Sequence, residues 1–282
     1  MNTGIKICTF LIFSLFVFKT FCGQKIIPDT VVIKSGHLQL KALLWHPAGR
    51  GQFPAAFFCH GGYETNDMTY DLVENISTIG SVFAKHGYVF LGLCRRGIGL
   101  STGQGRNTAD LMAEALKEKG QEGRNAVQLE QLETDELQDM LAALRFLRNR
   151  KDVDTNRIAV TGHSLGGSLA LLVAEHEPGL KATVVFSAAG FSWDRSSALR
   201  ERLRQVANQI NMPIMIVQAR NDYSLNPGRG LDSALTVLHK THVFKLYPEF
   251  GKTNREAHNL IFLGTEVWEQ DVFKFMDGIL KR

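Results

Sequence analysis

The chain of 282 residues is poor in net charge, in cysteine and in long apolar runs. Its formal net charge is only +4 and its charges are dispersed, which argues against a nucleic-acid-binding protein. The apolar run at residues 7–18 is much shorter than the roughly 20 residues needed to cross a bilayer. With 44% hydrophobic residues, the chain is long enough for one large domain with a buried core.

The first 22 residues differ in kind from the rest. Lys6 precedes the apolar run, and Lys19 ends it before a short stretch that includes Cys22. A basic start, a short apolar centre and small residues afterwards are typical of a secretory signal peptide. We therefore expect removal of residues 1–22, a single domain over residues 23–282, and a secreted or periplasmic protein with no transmembrane segment. A lipid anchor on Cys22 is less favoured, because the residues before it are a poor lead-in for that modification.

The sequence also has few residues that could form a disulfide or a metal site. Without the leader, Cys59 and Cys94 are the cysteines that remain. Both follow strands that would be neighbours, so a disulfide is geometrically conceivable, but two buried free thiols are the expected state. His239 and His242 lack a third ligand nearby, so we expect neither a metal nor a cofactor.

The most informative segment is residues 157–174. Its apolar start predicts a buried strand, its small and aliphatic end predicts a buried helix, and Gly162-His-Ser-Leu-Gly166 stands between them. This G-x-S-x-G order is typical of a sharp strand-to-helix turn that exposes a nucleophilic serine, here Ser164. The free N–H groups of the helix would face an oxyanion formed at that serine.

An acid and a histidine follow in the order that this serine requires. Asp222 comes after a strand predicted at residues 213–218, and His258 lies on a loop after a strand predicted at residues 243–247. We expect His258 to act as the general base and Asp222 to orient it. Glu256, two residues from His258, is the alternative acid.

Other polar residues fit these roles less well. Asp232 lies in a predicted helix and is expected to face solvent, and His239 and His242 are poorly placed to reach the serine. His163 is expected to pack locally rather than act as the base.

A second glycine-rich segment follows the predicted strand Phe53–Cys59. His60-Gly-Gly-Tyr63 is typical of the loop that gives the second N–H of an oxyanion hole. Leu165 would be the first donor, and the sequence leaves Gly62 and Tyr63 open as the second.

Together these segments resemble the α/β-hydrolase superfamily, and within it the dienelactone hydrolases and the prolyl-oligopeptidase-like esterases and peptidases. The matching segments are HGG at 60–62, RRGIGLSTG at 95–103, GHSLGG at 162–167, RND at 220–222 and the late His258. The resemblance spans nearly the whole chain after residue 30. It implies an α/β fold with a mostly parallel eight-stranded sheet flanked by helices and a small lid.

The chain departs from its relatives in two places. Relatives usually carry an aspartate before the Arg-Gly segment, where this chain has Cys94. Dienelactone hydrolases proper use a cysteine nucleophile, whereas Ser164 stands here, so dienelactone is not implied as the substrate.

Two segments fall outside the strand-and-helix alternation. Residues 110–133 are polar and predict a solvated helical excursion, followed by a helix that Thr134 could cap. Residues 191–209 predict a short helix near the mouth of the site, where related hydrolases carry a lid.

We therefore expect a serine hydrolase that cleaves a carboxylic ester through an acyl-enzyme. A peptidase or amidase is the alternative, because the same three residues serve both reactions. A non-catalytic binding protein on this scaffold is a further alternative. The expected partner is a small-molecule ester or a short peptide; the sequence does not indicate the oligomeric state.

Overall fold

The fold is organised around a single sheet. The computed structural model describes residues 27–63 and 71–281, so the predicted signal peptide lies outside the described residues. Eight strands pair in the order β1-β2-β4-β3-β5-β6-β7-β8, and every neighbouring pair is parallel except those that β2 makes with β1 and β4. The strands are β1 (Asp29–Ser35), β2 (Leu38–Trp45), β3 (Phe53–Cys59), β4 (Val89–Leu93), β5 (Val153–His163), β6 (Ala182–Phe186), β7 (Ile214–Ala219) and β8 (His242–Tyr247).

Helices pack on both faces of this sheet. Within the described residues they are α1 (Leu72–Lys85), α2 (Thr108–Glu133), α3 (Asp135–Arg148), α4 (Leu165–His176), α5 (Ser192–Arg195), α6 (Ser197–Gln209), α7 (Asn226–Val237), α8 (Asn254–His258), α9 (Leu260–Leu263) and α10 (Thr265–Leu280). This arrangement confirms the predicted α/β-hydrolase fold. None of these helices is both long enough and apolar enough to span a membrane.

The sheet separates two apolar cores. Successive side chains of a strand point to opposite faces, and in central strand β3 Phe57 joins one core while Phe58 joins the other. Helices α3 and α4 cover the Phe57 side, and α1 and α10 cover the Phe58 side. A strand buried on both faces needs continuous apolar sequence, which is why β3 contains almost no polar residue.

Helix α2 corrects the prediction for residues 110–133. The helix is not solvated on all sides, because Met112 and Leu132 are buried in the core that contains Phe57. Gly120 interrupts the helix with φ 68°, a value that glycine adopts readily, so two helical halves meet at a kink there.

Thr134 also departs from expectation. It stands at the N-cap of α3, but its hydroxyl donates to the Glu130 carbonyl (2.7 Å) instead of accepting from an N–H of α3.

Candidate active site

The candidate nucleophile lies at the sharp turn between β5 and α4. Ser164 has φ 56° and ψ −122°, an uncommon conformation for a residue with a side chain. A Cβ added at Gly162 would lie 2.1 Å from the Gly166 carbonyl oxygen. One added at Gly166 would lie 2.0 Å from the Cys59 carbonyl oxygen. The turn therefore excludes side chains at both glycines, and this explains the G-x-S-x-G spacing.

The candidate oxyanion donors lie beside this turn. Leu165 is the first residue of α4, so no carbonyl within the helix can accept its N–H. The HGG loop packs against it, because a Cβ added at Gly62 would lie 3.7 Å from Leu165 Cδ1. The Tyr63 carbonyl accepts a hydrogen bond from Asn107 Nδ2 (2.7 Å). Gly62, Tyr63, Leu165 and Ser164 all line one cavity.

The candidate base and acid are directly hydrogen-bonded. His258 Nδ1 donates to Asp222 Oδ1 (2.8 Å), since a carboxylate only accepts, and Nε2 is thereby left as the basic nitrogen. Burial alone would raise the pKa of Asp222, but hydrogen bonds from His258, Ser187 and Gln218 lower it below its usual value. The acid is therefore held ionised beside the imidazole.

The reactive atoms of Ser164 and His258 converge on Gly190. A Cβ added there would lie 3.6 Å from His258 Nε2 and 3.7 Å from Ser164 Oγ. Gly190 has φ 46° and lies in the turn that follows β6. The cavity floor at this point is therefore bare backbone, which leaves room for an acyl group between the two side chains.

His258 is positioned by a helix rather than by an open loop. It is the last residue of α8, a helix that begins with a capping box between Thr253 and Glu256. The Glu256 carboxylate accepts from the N–H groups of Lys252 (2.6 Å) and Thr253 (2.9 Å). Glu256 is thus engaged in capping α8, and Asp222 is the acid on the imidazole.

His163 links the turn to the base. Its Nε2 donates to the His258 carbonyl (2.8 Å), and the two rings lie 4.9 Å apart. Burial lowers the pKa of His163 to about 3, so the ring is neutral. The side chain packs locally, as the sequence predicts.

The cavity above Ser164 measures about 620 Å³ and is walled largely by α2. The half of α2 before Gly120 presents Met112, Ala113 and Leu116 to the cavity. The half after Gly120 presents Arg124 and Gln128. The lid predicted at residues 191–209 contributes only its first two residues to this lining. This role of α2 was not predicted from the sequence, although the spacing of Ala109, Met112 and Leu116 indicates one apolar helix face.

The charges that line the cavity are of one sign. Lys117, Arg124 and Arg255 line it, whereas no aspartate or glutamate of the described chain does. Arg124 stacks over Phe191 (5.8 Å to the ring centroid) and donates to Gln128 Oε1 (3.1 Å). Burial and the nearby Arg195 guanidinium lower the pKa of Arg124. The wall thus carries a half-buried cation with a neutral hydrogen-bond partner.

The remaining candidates stay outside this chemistry. Cys59 and Cys94 are free and buried, and burial raises their pKa values to about 12 and about 11. Asp232 Oδ1 lies within hydrogen-bond distance of His242 Nε2 (3.1 Å). Within residues 27–63 and 71–281, no three His, Cys, Asp or Glu side chains are grouped so as to hold a metal ion.

The sequence and the fold both match known hydrolases. Residues 66–259 match the model of the Dienelactone hydrolase family. A candidate carboxymethylenebutenolidase of Methylorubrum extorquens is 29% identical over 118 residues, which span 41% of this chain and 40% of that protein.

Solved structures with the same fold include a candidate dienelactone hydrolase and an acylaminoacyl peptidase. A candidate dienelactone hydrolase from Klebsiella pneumoniae superposes with a TM-score of 0.65 at 18% identity, covering 92% of this chain and 100% of the other. An acylaminoacyl peptidase of Pyrococcus horikoshii superposes with a TM-score of 0.59 at 18% identity, covering 87% of this chain and 42% of the other.

The chain belongs to the Dienelactone hydrolase family, because the match covers more than half of its length. This confirms the predicted family and fold, and it agrees with the prediction of a serine hydrolase.

Proposed function

We propose that the protein is a serine hydrolase that cleaves a carboxylic ester through Ser164, His258 and Asp222. The observation that carries the proposal is the Asp222–His258 hydrogen bond, with His258 Nε2 and Ser164 Oγ facing the same glycine. Those atoms meet beneath a cavity whose volume suits a small molecule.

The reaction would proceed in two half-reactions. His258 Nε2 removes the hydroxyl proton as Ser164 Oγ attacks the ester carbonyl, and it then delivers that proton to the leaving alcohol. Water attacks the resulting acyl-enzyme with the same imidazole as base, which regenerates Ser164. The ionised Asp222 stabilises the imidazolium formed in each step and keeps the imidazole in the required tautomer.

The negative charge that develops on the carbonyl oxygen needs donors that are already in place. The N–H of Leu165 is the first, supported by its position at the start of α4. Gly62 or Tyr63 supplies the second from the opposing loop.

The cavity favours substrates with an apolar arm and without positive charge. The arm would lie along Met112 and Leu116, and the cations of the wall would repel a cationic group near Arg124. Among charged esters, those bearing a carboxylate would therefore react better than those bearing an ammonium group.

The test is labelling of the purified protein with a fluorophosphonate, followed by hydrolysis assays on short-chain aryl esters and aminoacyl amides. We expect one label per chain, on Ser164, and faster turnover of the esters. Ser164→Ala should abolish labelling and lower kcat by about 10⁵–10⁶-fold while the fold persists. Unchanged turnover by that variant would exclude Ser164 as the nucleophile.

The same assay separates the alternatives. Faster turnover of the amides would favour a peptidase, the activity named for the Pyrococcus horikoshii structure. Intact wild-type protein that neither reacts with the fluorophosphonate nor hydrolyses any substrate would favour a binding protein on this scaffold.

We also propose that the protein is exported and that the mature chain begins near Gly23 or Gln24. The support is the basic start, the short apolar centre and the break at Lys19. Mass spectrometry of protein from its native host should find that start. An intact Met1 would contradict export, and a diacylglycerol mass on Cys22 would indicate a lipid anchor.

A further inference from the structure

The first arginine of the RRG segment is buried directly behind the HGG loop. The Arg95 side chain is only 2% exposed, and it donates from Nη1 to the His60 carbonyl (2.8 Å) and from Nη2 to the Gly61 carbonyl (3.3 Å). Its Nε pairs with the Glu136 carboxylate of α3. A guanidinium in this position holds two consecutive carbonyls of the loop with one rigid group.

His60 completes the grip on the same loop. Its Nε2 accepts from the Arg95 N–H (3.2 Å), so its Nδ1 carries the proton and donates to the Gly61 carbonyl (2.7 Å). Burial, and then the neighbouring Arg95 charge, lower the pKa of His60 well below its usual value, which keeps the ring neutral. The Gly61 carbonyl therefore has two side-chain donors.

These contacts fix the direction of the next N–H. In a trans peptide the N–H points away from the preceding carbonyl, and the structure contains no cis peptide bond in its described residues. Holding the Gly61 carbonyl against Arg95 and His60 therefore turns the Gly62 N–H away from them. Gly62 is also the loop residue that packs on Leu165.

The Arg95 charge is balanced inside the protein. Glu136 is 2% exposed, and it also accepts a hydrogen bond from the Thr108 hydroxyl at the start of α2. A buried charge left without its partner is strongly destabilising, so Arg95 and Glu136 must be retained or removed together.

Arg96 provides a matched comparison. It is also largely buried, and it pairs with Asp139 of α3 through two hydrogen bonds (2.9 and 2.8 Å). Asp139 in turn accepts from the Ser35 hydroxyl of β1 (2.7 Å). This second ion pair therefore ties the same segment to the same helix, but its hydrogen bonds go to β1 and not to the HGG loop.

We propose that Arg95 is a positioning residue for catalysis, which orients the Gly62 N–H toward the oxyanion by holding the His60 and Gly61 carbonyls from behind. Glu136 is the counter-charge that keeps Arg95 in that place. The inference rests on the proposed hydrolase function, and it selects Gly62 over Tyr63 as the second donor.

The test uses paired substitutions that leave no buried charge alone. Arg95→Met with Glu136→Met removes the grip, and Arg96→Met with Asp139→Met is the matched control. Fluorophosphonate titration counts the competent sites, so kcat is expressed per site. The affinity for a trifluoromethyl ketone, whose adduct on the serine carries an oxyanion, is measured beside KM.

Loss of the orientation should resemble loss of one oxyanion donor, which lowers kcat by about 10²–10³-fold. We expect that fall in the Arg95/Glu136 variant, with KM changed by less than about threefold and trifluoromethyl ketone affinity weakened in proportion to kcat/KM. The Arg96/Asp139 control should lose stability but keep kcat per site within about threefold.

If the Arg95→Met/Glu136→Met variant does not fold, Arg95→Lys is tested instead. It keeps a charge for Glu136 but lacks the planar fork that holds two carbonyls, so kcat should fall in the same direction. Full activity per site in these variants, or an equal loss in the control, would overturn the inference while leaving the hydrolase proposal intact. A wild-type protein that is inert to the fluorophosphonate and to esters would overturn both.

Discussion

Two carboxylates, Asp222 and Glu256, are candidates for the acid that serves His258, and their hydrogen bonds separate their roles. Asp222 accepts from the imidazole and is 6% exposed, whereas Glu256 binds backbone N–H groups at the start of α8. A carboxylate that caps the helix helps to position His258, but it does not stabilise the charged imidazole. At the residue scale, the identity of the acid therefore depends on which groups each carboxylate accepts from.

Asp222→Asn should lower kcat by up to about 10⁴-fold, because an amide can donate to the imidazole and favour the wrong tautomer. Glu256→Gln should keep kcat within about threefold and change the stability little, because glutamine can take the same place in the capping box. Steady-state kinetics and urea unfolding of both variants provide the check. If Glu256→Gln loses as much activity as Asp222→Asn, then Glu256 is the catalytic acid.

Gly166 sets how closely the serine turn approaches the strand before the HGG loop. A Cβ there would overlap the carbonyl oxygens of Cys59 and His60, both of which are backbone atoms and cannot rotate away. Gly278 in α10 differs, because a Cβ there would meet no atom within 4 Å.

Gly166→Ala should therefore lower the free energy of unfolding by about 3 kcal/mol or more and remove most activity. Gly278→Ala should raise it by about 0.5 kcal/mol, because alanine is the better helix former. Urea unfolding of the two variants side by side measures both effects. Equal stabilities would show that the turn relaxes around a side chain at position 166.

At the scale of elements, α2 supplies the substrate wall that the sequence did not disclose. Met112 and Leu116 lie on one side of the Gly120 kink, and Arg124 lies on the other. Because of the kink, the halves of the helix before and after Gly120 are oriented differently. A single period of about 3.6 residues therefore does not describe the whole helix. The polar and glycine residues of this segment therefore predict a solvated helix, although part of the helix covers the active site.

Arg124→Gln should lower kcat/KM for a carboxylate-bearing ester about tenfold or more relative to a neutral ester of the same size, since a hydrogen bond to a charged group contributes about 1.5–3 kcal/mol. Arg204→Gln on α6 is the charge-matched control, because Arg204 stacks on Trp193 outside this cavity. The measurement is the ratio of kcat/KM for the two esters. An unchanged ratio would mean that Arg124 does not contact the anionic group.

The candidate catalytic residues were easier to predict than the wall, for a physical reason. Ser164, Asp222 and His258 follow β5, β7 and β8. These strands run parallel in one sheet, so their carboxyl ends lie at the same edge. Chain order alone therefore brings them together. The hydrogen bonds from Arg95 to the HGG loop depend on the direction of side chains that follow two different strands. No local sequence pattern indicates those directions.

At the scale of the whole molecule, two buried histidines make folding sensitive to acid. His60 and His163 are each less than 4% exposed, and burial is the main reason that their pKa values lie below 6.5. In the unfolded chain both imidazoles are free to bind a proton near pH 6.5. Acid therefore favours the unfolded state, which binds protons that the folded state excludes.

The sign follows from proton counts. Between pH 6.5 and about 3, the unfolded state holds a proton on His163 that the folded state lacks, so stability falls as the pH falls. Each such histidine contributes about 1.4 kcal/mol per pH unit.

Urea unfolding at pH 7, 6 and 5 should show this decline in the wild type. His163→Gln should reduce the slope by one histidine's share. A slope equal in wild type and His163→Gln would mean that the His163 imidazole is protonated in the folded protein, and its hydrogen bond to the His258 carbonyl would then be that of a cation.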